Sequence, residues 1–393
     1  MRPVSGGTRP PDSWTIDRRR FLALAGGTAA YLALRPTESW AKKAGKANPS
    51  LQPWALPEEI PGNPVDAARA LIGAAVLAPS DWNAQPWRFE VEGNAIRLVA
   101  DARRALPITD PARKGMMIGL GGALENLLIA ARSWGQRTTV SYLPHDGANG
   151  VTAEVGWAPG DPKRDRTLFA AIPERRTNRH DFDGRGVFPQ NRTSLLAETM
   201  EGLGLYWLDD PDRIDDVADV VYESTHEQVS NPRAQAEQFS WMRFENDAEK
   251  RGDGVPVDAL ELSGPAHWFA GRYFNPSSWF LRLGAEYAAK QARGQVKSSG
   301  ALLLMTSARQ DETEWLLCGQ SYERIALKAS NLGIAQQILS PPTELEHYRA
   351  GLRTSFGVPV AEQPLLLVRL GHARRPDPTP RRAVSLVATF RNT

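Results

Sequence analysis

The chain has 393 residues, 47 basic against 45 acidic, and its formal net charge of +2 gives no general argument for nucleic-acid binding. With 41% apolar and 23% charged residues it reads as a globular protein, long enough for two cores or one two-lobed core. Cys318 is the only cysteine and the six histidines are scattered without ligand spacing, so an internal disulfide and a metal site are set aside.

The N-terminus reads as an address. Arg18-Arg19-Arg20-Phe21-Leu22 carries the R-R-x-F-L core of a twin-arginine export signal, with Asp17 where Ser or Thr is usual. Leu22 to Leu34 is weakly apolar and too short to span a bilayer, and Ser39-Trp40-Ala41 offers a small-x-small cleavage site. The alternative is a basic leader without that role. Loss of residues 1–41, with six arginines and three acids, would turn the net charge of +2 into −1. The twin-arginine machinery exports folded proteins, which suits a chain that captures a cytoplasmic cofactor and then works in the periplasm. Residues 42–63, rich in Lys, Pro and Gly, read as a linker.

Asn63-Pro64 fits an N-cap and first helical position, and a helix is predicted from Val65 to Leu77. Then comes Ala78-Pro79-Ser80-Asp81-Trp82-Asn83-Ala84-Gln85-Pro86-Trp87, a connector through which Pro79 and Pro86 let neither helix nor central strand run. It presents Ser80, Asn83 and Gln85 on rigid backbone. A strand from Phe89 to Glu92, a Gly93-Asn94 turn and a strand from Ile96 to Val99 make a hairpin. An apolar helix follows from Ala112 to Trp134, ended by Gly135, and then strands at Thr138–Leu143 and Val151–Val155. Gly119 to Gly122 lies inside that helix rather than after a strand, so it is no dinucleotide loop.

The same helix recurs. Gly121, Glu125, Ala131 and Gly135 are matched 198 residues later by Gly319, Glu323, Ala329 and Gly333, which indicates a duplicated half. The expected organisation is a first half over 64–165 and a second over 170–385, the latter interrupted by an aromatic insert over 209–295. That insert, helical from Ile214 to Gln228 and then dense in Phe, Trp and Tyr, suits a lid over a planar ligand or packing between lobes. A core strand from Pro364 to Gly371 closes the chain before a Pro/Arg tail.

Each half holds one polar motif the other lacks. The second opens on Arg175-Arg176-Thr177-Asn178-Arg179, where guanidinium forks and interleaved hydroxyl and amide groups match a phosphate; the competing reading is a solvated basic face. Ser80, Asn83 and Gln85, beside Trp82 and Trp87, supply donors and acceptors suited to a flavin. No Ser-His-Asp order, paired catalytic carboxylates or phosphate-binding loop of the Walker kind is visible.

These residues resemble the nitroreductase superfamily of FMN flavoproteins, in particular the Acg-like branch with two repeats fused in one polypeptide. The resemblance rests on A-P-S-x-x-N-x-Q-P-W at Ala78–Trp87, R-R-T-x-R at Arg175–Arg179, the repeated Gly/Ala helices and the closing P-L-L-L-V-R-L-G-H-A strand. It implies an α+β fold in which two degenerate repeats form an intramolecular pseudo-dimer, with FMN at the repeat interface. Arg175, Arg176, Thr177, Asn178 and Arg179 would then serve the phosphate, helped by Arg381 or Arg382, with Arg374 as an alternative. Pro79, Ser80, Asn83 and Gln85 would arrive from the other repeat. The implied activity is electron transfer from a donor the sequence does not identify to a small organic acceptor, a quinone or nitro compound, with no catalytic side chain demanded. A second reading, from the lid of Acg-like proteins and the export signal, is a flavin-sequestering or stress protein with little turnover.

Overall fold

A computed structural model describes residues 54–160, 166–244, 247–260 and 280–391. The export signal, the linker up to residue 53 and the aromatics Trp268, Phe269, Tyr273, Phe274 and Trp279 of the expected lid lie outside the described residues. Helix α1 (Pro64–Ala75) begins as expected, with the Asn63 side chain accepting from Val65 N at 2.8 Å and Asp66 N at 3.4 Å. Strands β1 (Trp87–Glu92) and β2 (Ala95–Ala100) form the hairpin, with Gly93 at φ 55° in its turn. Helix α2 (Lys114–Ser133) is followed by Gly135 at φ 76°, then by the antiparallel strands β3 (Gln136–Tyr142) and β4 (Val151–Pro159).

The second half repeats this plan with an insertion. Helix α3 (Pro189–Leu196) and strand β5 (Gly204–Leu208) lead into the inserted helices α4 (Pro211–Ser230), α5 (Pro232–Trp241) and α6 (Phe280–Lys297). Strand β6 (Ala301–Ser307), helix α7 (Glu312–Asn331) and strand β7 (Ala335–Ile338) come next, then α8 (Arg349–Phe356), β8 (Gln363–Gly371) and β9 (Ala388–Arg391). One sheet runs β9-β1-β2-β4-β3 and the other β5-β6-β8-β7. Apart from β9, which pairs parallel to β1, the two sheets share strand order and antiparallel pairing throughout.

The second sheet is covered on both faces. Cys318, Tyr322 and Ala326 of α7 pack on one side and Ile214, Val217, Ala218 and Val221 of α4 on the other. Every residue of β6 is therefore buried, which is why Leu302 to Met305 is an unbroken apolar run. Helix α4 of the insert is thus core, not merely a cover over a ligand.

Helices α2 and α7 cross where both carry glycine. A β-carbon on Gly121 would lie 2.1 Å from Leu316 O, and one on Gly319 would lie 2.0 Å from Ile118 O. Both pairs, Gly121 with Gly319 and Ile118 with Leu316, are 198 residues apart, so the contact is reciprocal in the manner of a two-fold interface. Because the obstacle is backbone, Gly121→Ala and Gly319→Ala are each expected to destabilise the fold by about 2 kcal/mol or more. Gly122→Ala meets nothing closer than 3.6 Å and is expected to be neutral or to stabilise. Denaturant unfolding of the three variants checks the contrast; equal stabilities would refute the close crossing.

Candidate functional site

The connector between α1 and β1 turns through three left-handed residues, Trp82, Asn83 and Gln85, each at φ 51°. Such backbone costs on the order of 1–3 kcal/mol per residue and needs fixed partners to persist. Ser80 Oγ accepts from Gln85 N at 2.9 Å. Asn83 Nδ2 donates to Gly254 O at 2.9 Å and to Pro380 O at 3.0 Å. Gln85 Nε2 donates to Gly252 O at 2.7 Å, and Gln85 Oε1 accepts from Arg382 N at 2.9 Å. The amide side chains of Asn83 and Gln85 are therefore engaged in holding three distant segments together.

The basic motif divides. Arg175 is 2% exposed; its Nη2 donates to Leu77 O at 3.2 Å and its Nε lies 3.4 Å from Glu323 Oε1. Arg176 lies over the Trp54 ring at 4.2 Å and Arg381 over the same ring at 5.0 Å. Burial pushes Arg176 down to about 9, with Arg375 and Arg175 adding to it, and pushes Arg381 well below its ordinary value with help from Arg175 and Arg176. Glu323 is the carboxyl facing Arg175, yet burial outweighs that attraction and raises it to about 7. Arg175 Nη1, Arg176 Nε and Arg381 Nε are buried without hydrogen-bond partners, so this cluster holds more positive charge than its surroundings balance. An anionic end of a ligand fits that excess.

Asn178 serves the framework: Nδ2 donates to Arg374 O at 2.8 Å and Oδ1 accepts from His180 N at 3.1 Å. Arg382, lowered to about 10 chiefly by burial, donates through Nη2 to Leu386 O at 2.9 Å. Arg374 enters here only through its carbonyl.

Thr177 and Arg179 instead reach the wall of a cavity of about 680 Å³, within the ~300–1,000 Å³ span of small-molecule and cofactor sites. Pro79, Ser80, Asp81 and Trp82 of the connector form another part of that wall, with Gly115, Ile118 and Gly119 from α2. Gln337, Ile338 and Ser340 at the end of β7 join them, and Val221 of α4 and Gln291 of α6 bring the insert to the same space. The cavity thus unites Pro79 and Ser80 with Thr177 and Arg179. Asn83, Gln85, Arg175, Arg176, Asn178, Arg381 and Arg382 stand behind it.

A further group on this wall has no signal in the sequence. Asp81, Asp110 and Glu344 gather around Lys114, whose Nζ donates to Thr343 O at 2.7 Å and lies 3.4 Å from Glu344 Oε1. Asp110 accepts from Gly115 N at 3.2 Å and Met116 N at 2.9 Å, and Asp81 Oδ1 accepts from Ser340 Oγ at 3.4 Å. A β-carbon at Gly115 would lie 2.2 Å from Asp81 Oδ2, so any larger residue there would displace that carboxyl. Burial and Glu344 raise Asp81 to about 6, against the pull of Lys114. Burial, Glu344 and Asp81 raise Asp110 to about 7, while burial lowers Lys114. Carboxyls that titrate near neutral pH can exchange a proton with a molecule in the cavity.

No family model matches the chain. Among characterised sequences it is 27% identical over 332 residues to "Putative NAD(P)H nitroreductase Rv3131" of Mycobacterium tuberculosis, covering 83% of this chain and 92% of the relative. It is 26% identical over 347 residues to "Putative NAD(P)H nitroreductase acg" of the same organism, covering 82% and 95%. Both relatives carry the nitroreductase name, and the chain is similar to them over most of its length and of theirs. Its architecture is α+β, with two sheets and helices packed between and upon them. A solved nitroreductase, NfnB from Sphigopyxis sp. strain HMH, overlays with a TM-score of 0.39 at 17% identity, over 57% of this chain and 99% of that one. The NADPH:FMN oxidoreductase of Vibrio harveyi overlays with a TM-score of 0.32 at 12% identity, over 55% and 73%.

The carboxyls give this chain a pH signature. Asp81 and Asp110 are held above the ordinary 3.8 in the folded state, so between about pH 4 and 7 the folded chain keeps protons that the unfolded chain has released. Their contribution to stability is full below the unfolded value and is lost as pH rises through the folded values. Asp81→Asn, neutral and isosteric, is expected to raise unfolding free energy at pH 8 by on the order of 1–2 kcal/mol and by much less at pH 4.5. Denaturant titrations at both pH values check this, and an equal effect at the two would refute the assignment.

Proposed function

We propose that this protein is an FMN-binding oxidoreductase of the nitroreductase type, in which two fused repeats make an intramolecular pseudo-dimer with one FMN between them. The observation that carries the reading is the composition of the large cavity, where Pro79 and Ser80 from one half meet Thr177 and Arg179 from the other. The repeated strand order and the reciprocal contact at Gly121 and Gly319 support the fusion. The names of the mycobacterial relatives support reduction driven by a nicotinamide nucleotide.

FMN, when bound, would supply hydride and single-electron transfer to an organic acceptor such as a quinone or nitro compound. The chain's part is to seat and orient. Thr177 and Arg179 would hold the phosphate, with the buried charge of Arg175, Arg176 and Arg381 favouring an anion at that end. Pro79 and Ser80 would face the ring, and Asn83 and Gln85 would fix the connector that carries them. The half that lacks the arginine motif cannot repeat this pairing, so the proposal gives one FMN per chain.

Titration of the apo-protein followed by flavin fluorescence is expected to give one site per chain, and Arg179→Ala to weaken it by ~2–3 kcal/mol. Two equivalent sites, or an unweakened variant, would refute the reading. A second reading, flavin storage with little turnover, is favoured by the way Val221 and Gln291 of the insert wall the cavity. Addition of NAD(P)H to the FMN-loaded protein separates the two, since a reductase bleaches the flavin spectrum and a store does not.

We also propose that Arg18 and Arg19 direct the folded, loaded protein to the periplasm through the twin-arginine machinery. Replacing both with lysine keeps the charge and is expected to hold the protein in the cytoplasm. Periplasmic accumulation of the double variant would end that proposal.

A further inference from the structure

A second cavity, of about 350 Å³, lies on the other side of the α2–α7 pair. Its parts are counterparts of those around the large one. Thr199 and Met200, between α3 and β5, stand in for the connector between α1 and β1, and β3 stands in for β7. Val140 here and Ile338 there are 198 residues apart. The first half has no counterpart of the arginine motif, and this side carries a different set of charges.

Glu125 is the carboxylate on this wall, 2% exposed, and it is already satisfied. Its Oε1 accepts from Arg132 Nη2 at 2.9 Å and Arg324 Nη1 at 3.2 Å, and its Oε2 accepts from Gln320 Nε2 at 2.8 Å. Tyr142 donates to Gln320 Oε1 at 2.9 Å and fixes that amide. Arg324 Nη2 also donates to Glu198 at 2.7 Å, and Lys328 lies 3.5 Å from the same carboxylate. Among the described residues Arg132, Arg324 and Lys328 pair with two carboxylates, Glu125 and Glu198, so this ion-pair group carries one more positive charge than negative. Arg132 stands at the mouth with its side chain 42% exposed, and Leu128, Val140 and Met200 supply an apolar wall.

We propose that this cavity is a second, separate binding site, for a small aromatic monocarboxylate. The carboxylate sits on Arg132, whose planar fork matches it, and the ring lies against Leu128, Val140 and Met200. At about half the volume of the large cavity, it admits one ring rather than a nucleotide. Its location is argued from the fused-repeat reading, but its chemistry rests on these residues alone.

Saturation-transfer NMR with benzoate as the probe tests the site, with benzyl alcohol and benzylammonium as neutral and cationic controls. Benzoate is expected to bind saturably and at least tenfold more tightly than either control. Arg132→Gln is expected to weaken it at least tenfold. Met200→Trp, which fills the cavity without touching the ion pairs, is expected to abolish it and keeps the test valid if the arginine variant fails to fold. Benzoate that binds no better than benzyl alcohol, or that is unaffected by Met200→Trp, overturns the proposal. Benzoate displaced by FMN belongs to the large cavity and overturns it equally. The FMN arm rests on the flavin proposal; the benzoate comparison and the two variants do not.

Discussion

At Gly121 and Gly319 two buried helices approach until the backbone of one touches the α-carbon of the other, and both cavities are shaped by that approach. Any side chain at either position would push α2 and α7 apart. The first turns of α2 bound the large cavity and its later turns the small one, while the middle of α7 borders both, through Tyr322 on one and Gln320 and Arg324 on the other. A glycine in a helix interior costs on the order of 1 kcal/mol of helix stability. Here that cost is offset by a crossing close enough to bring four structural segments around one space.

The second organising constraint is charge in the wrong place for a resting core. Arg175 and Arg381 are nearly inaccessible; burial, with Arg175 and Arg176 beside it, pushes the Arg381 guanidinium well below its ordinary value, and Glu323 is the carboxyl facing Arg175. A core selected for stability alone would replace such a group with apolar side chains, since buried pairs rarely exceed their own desolvation cost. The strain in the connector at Trp82, Asn83 and Gln85 belongs to the same account. Both features place cost beside the cavity, where binding rather than folding can use it.

Much of this was legible in the sequence, for reasons that can be named. Pro79 and Pro86 forced a rigid connector, Asn63-Pro64 marked a helix start, and the small residues of α2 reappeared at one fixed offset in α7 because backbone contact tolerates nothing else. What stayed hidden depends on distance along the chain. The amides of Asn83 and Gln85 looked like ligand groups because their partners, Gly252, Gly254 and Pro380, are some 170 to 300 residues away. Arg175 and Arg179 look alike in a five-residue motif, yet one faces Glu323 and the other the cavity. The gathering of Asp81, Asp110 and Glu344 around Lys114 draws on the connector, a loop, the short helix Pro341–Glu344 and the start of α2, and no local pattern announces it.

Strand β9 has a bearing on how the molecule comes into being. Its residues Ala388 to Arg391 pair with Phe89 to Glu92, so among the described residues the sheet that contains the first strand is finished by the last one. Until those residues have left the ribosome, β1 keeps a row of unpaired backbone groups along its outer edge, a template for wrong partners. A pairing across some 300 residues also forms late, because the loop it closes is long. The first sheet is therefore completed only by residues made some 300 positions after its first hairpin, and the two halves are tied into one folding unit.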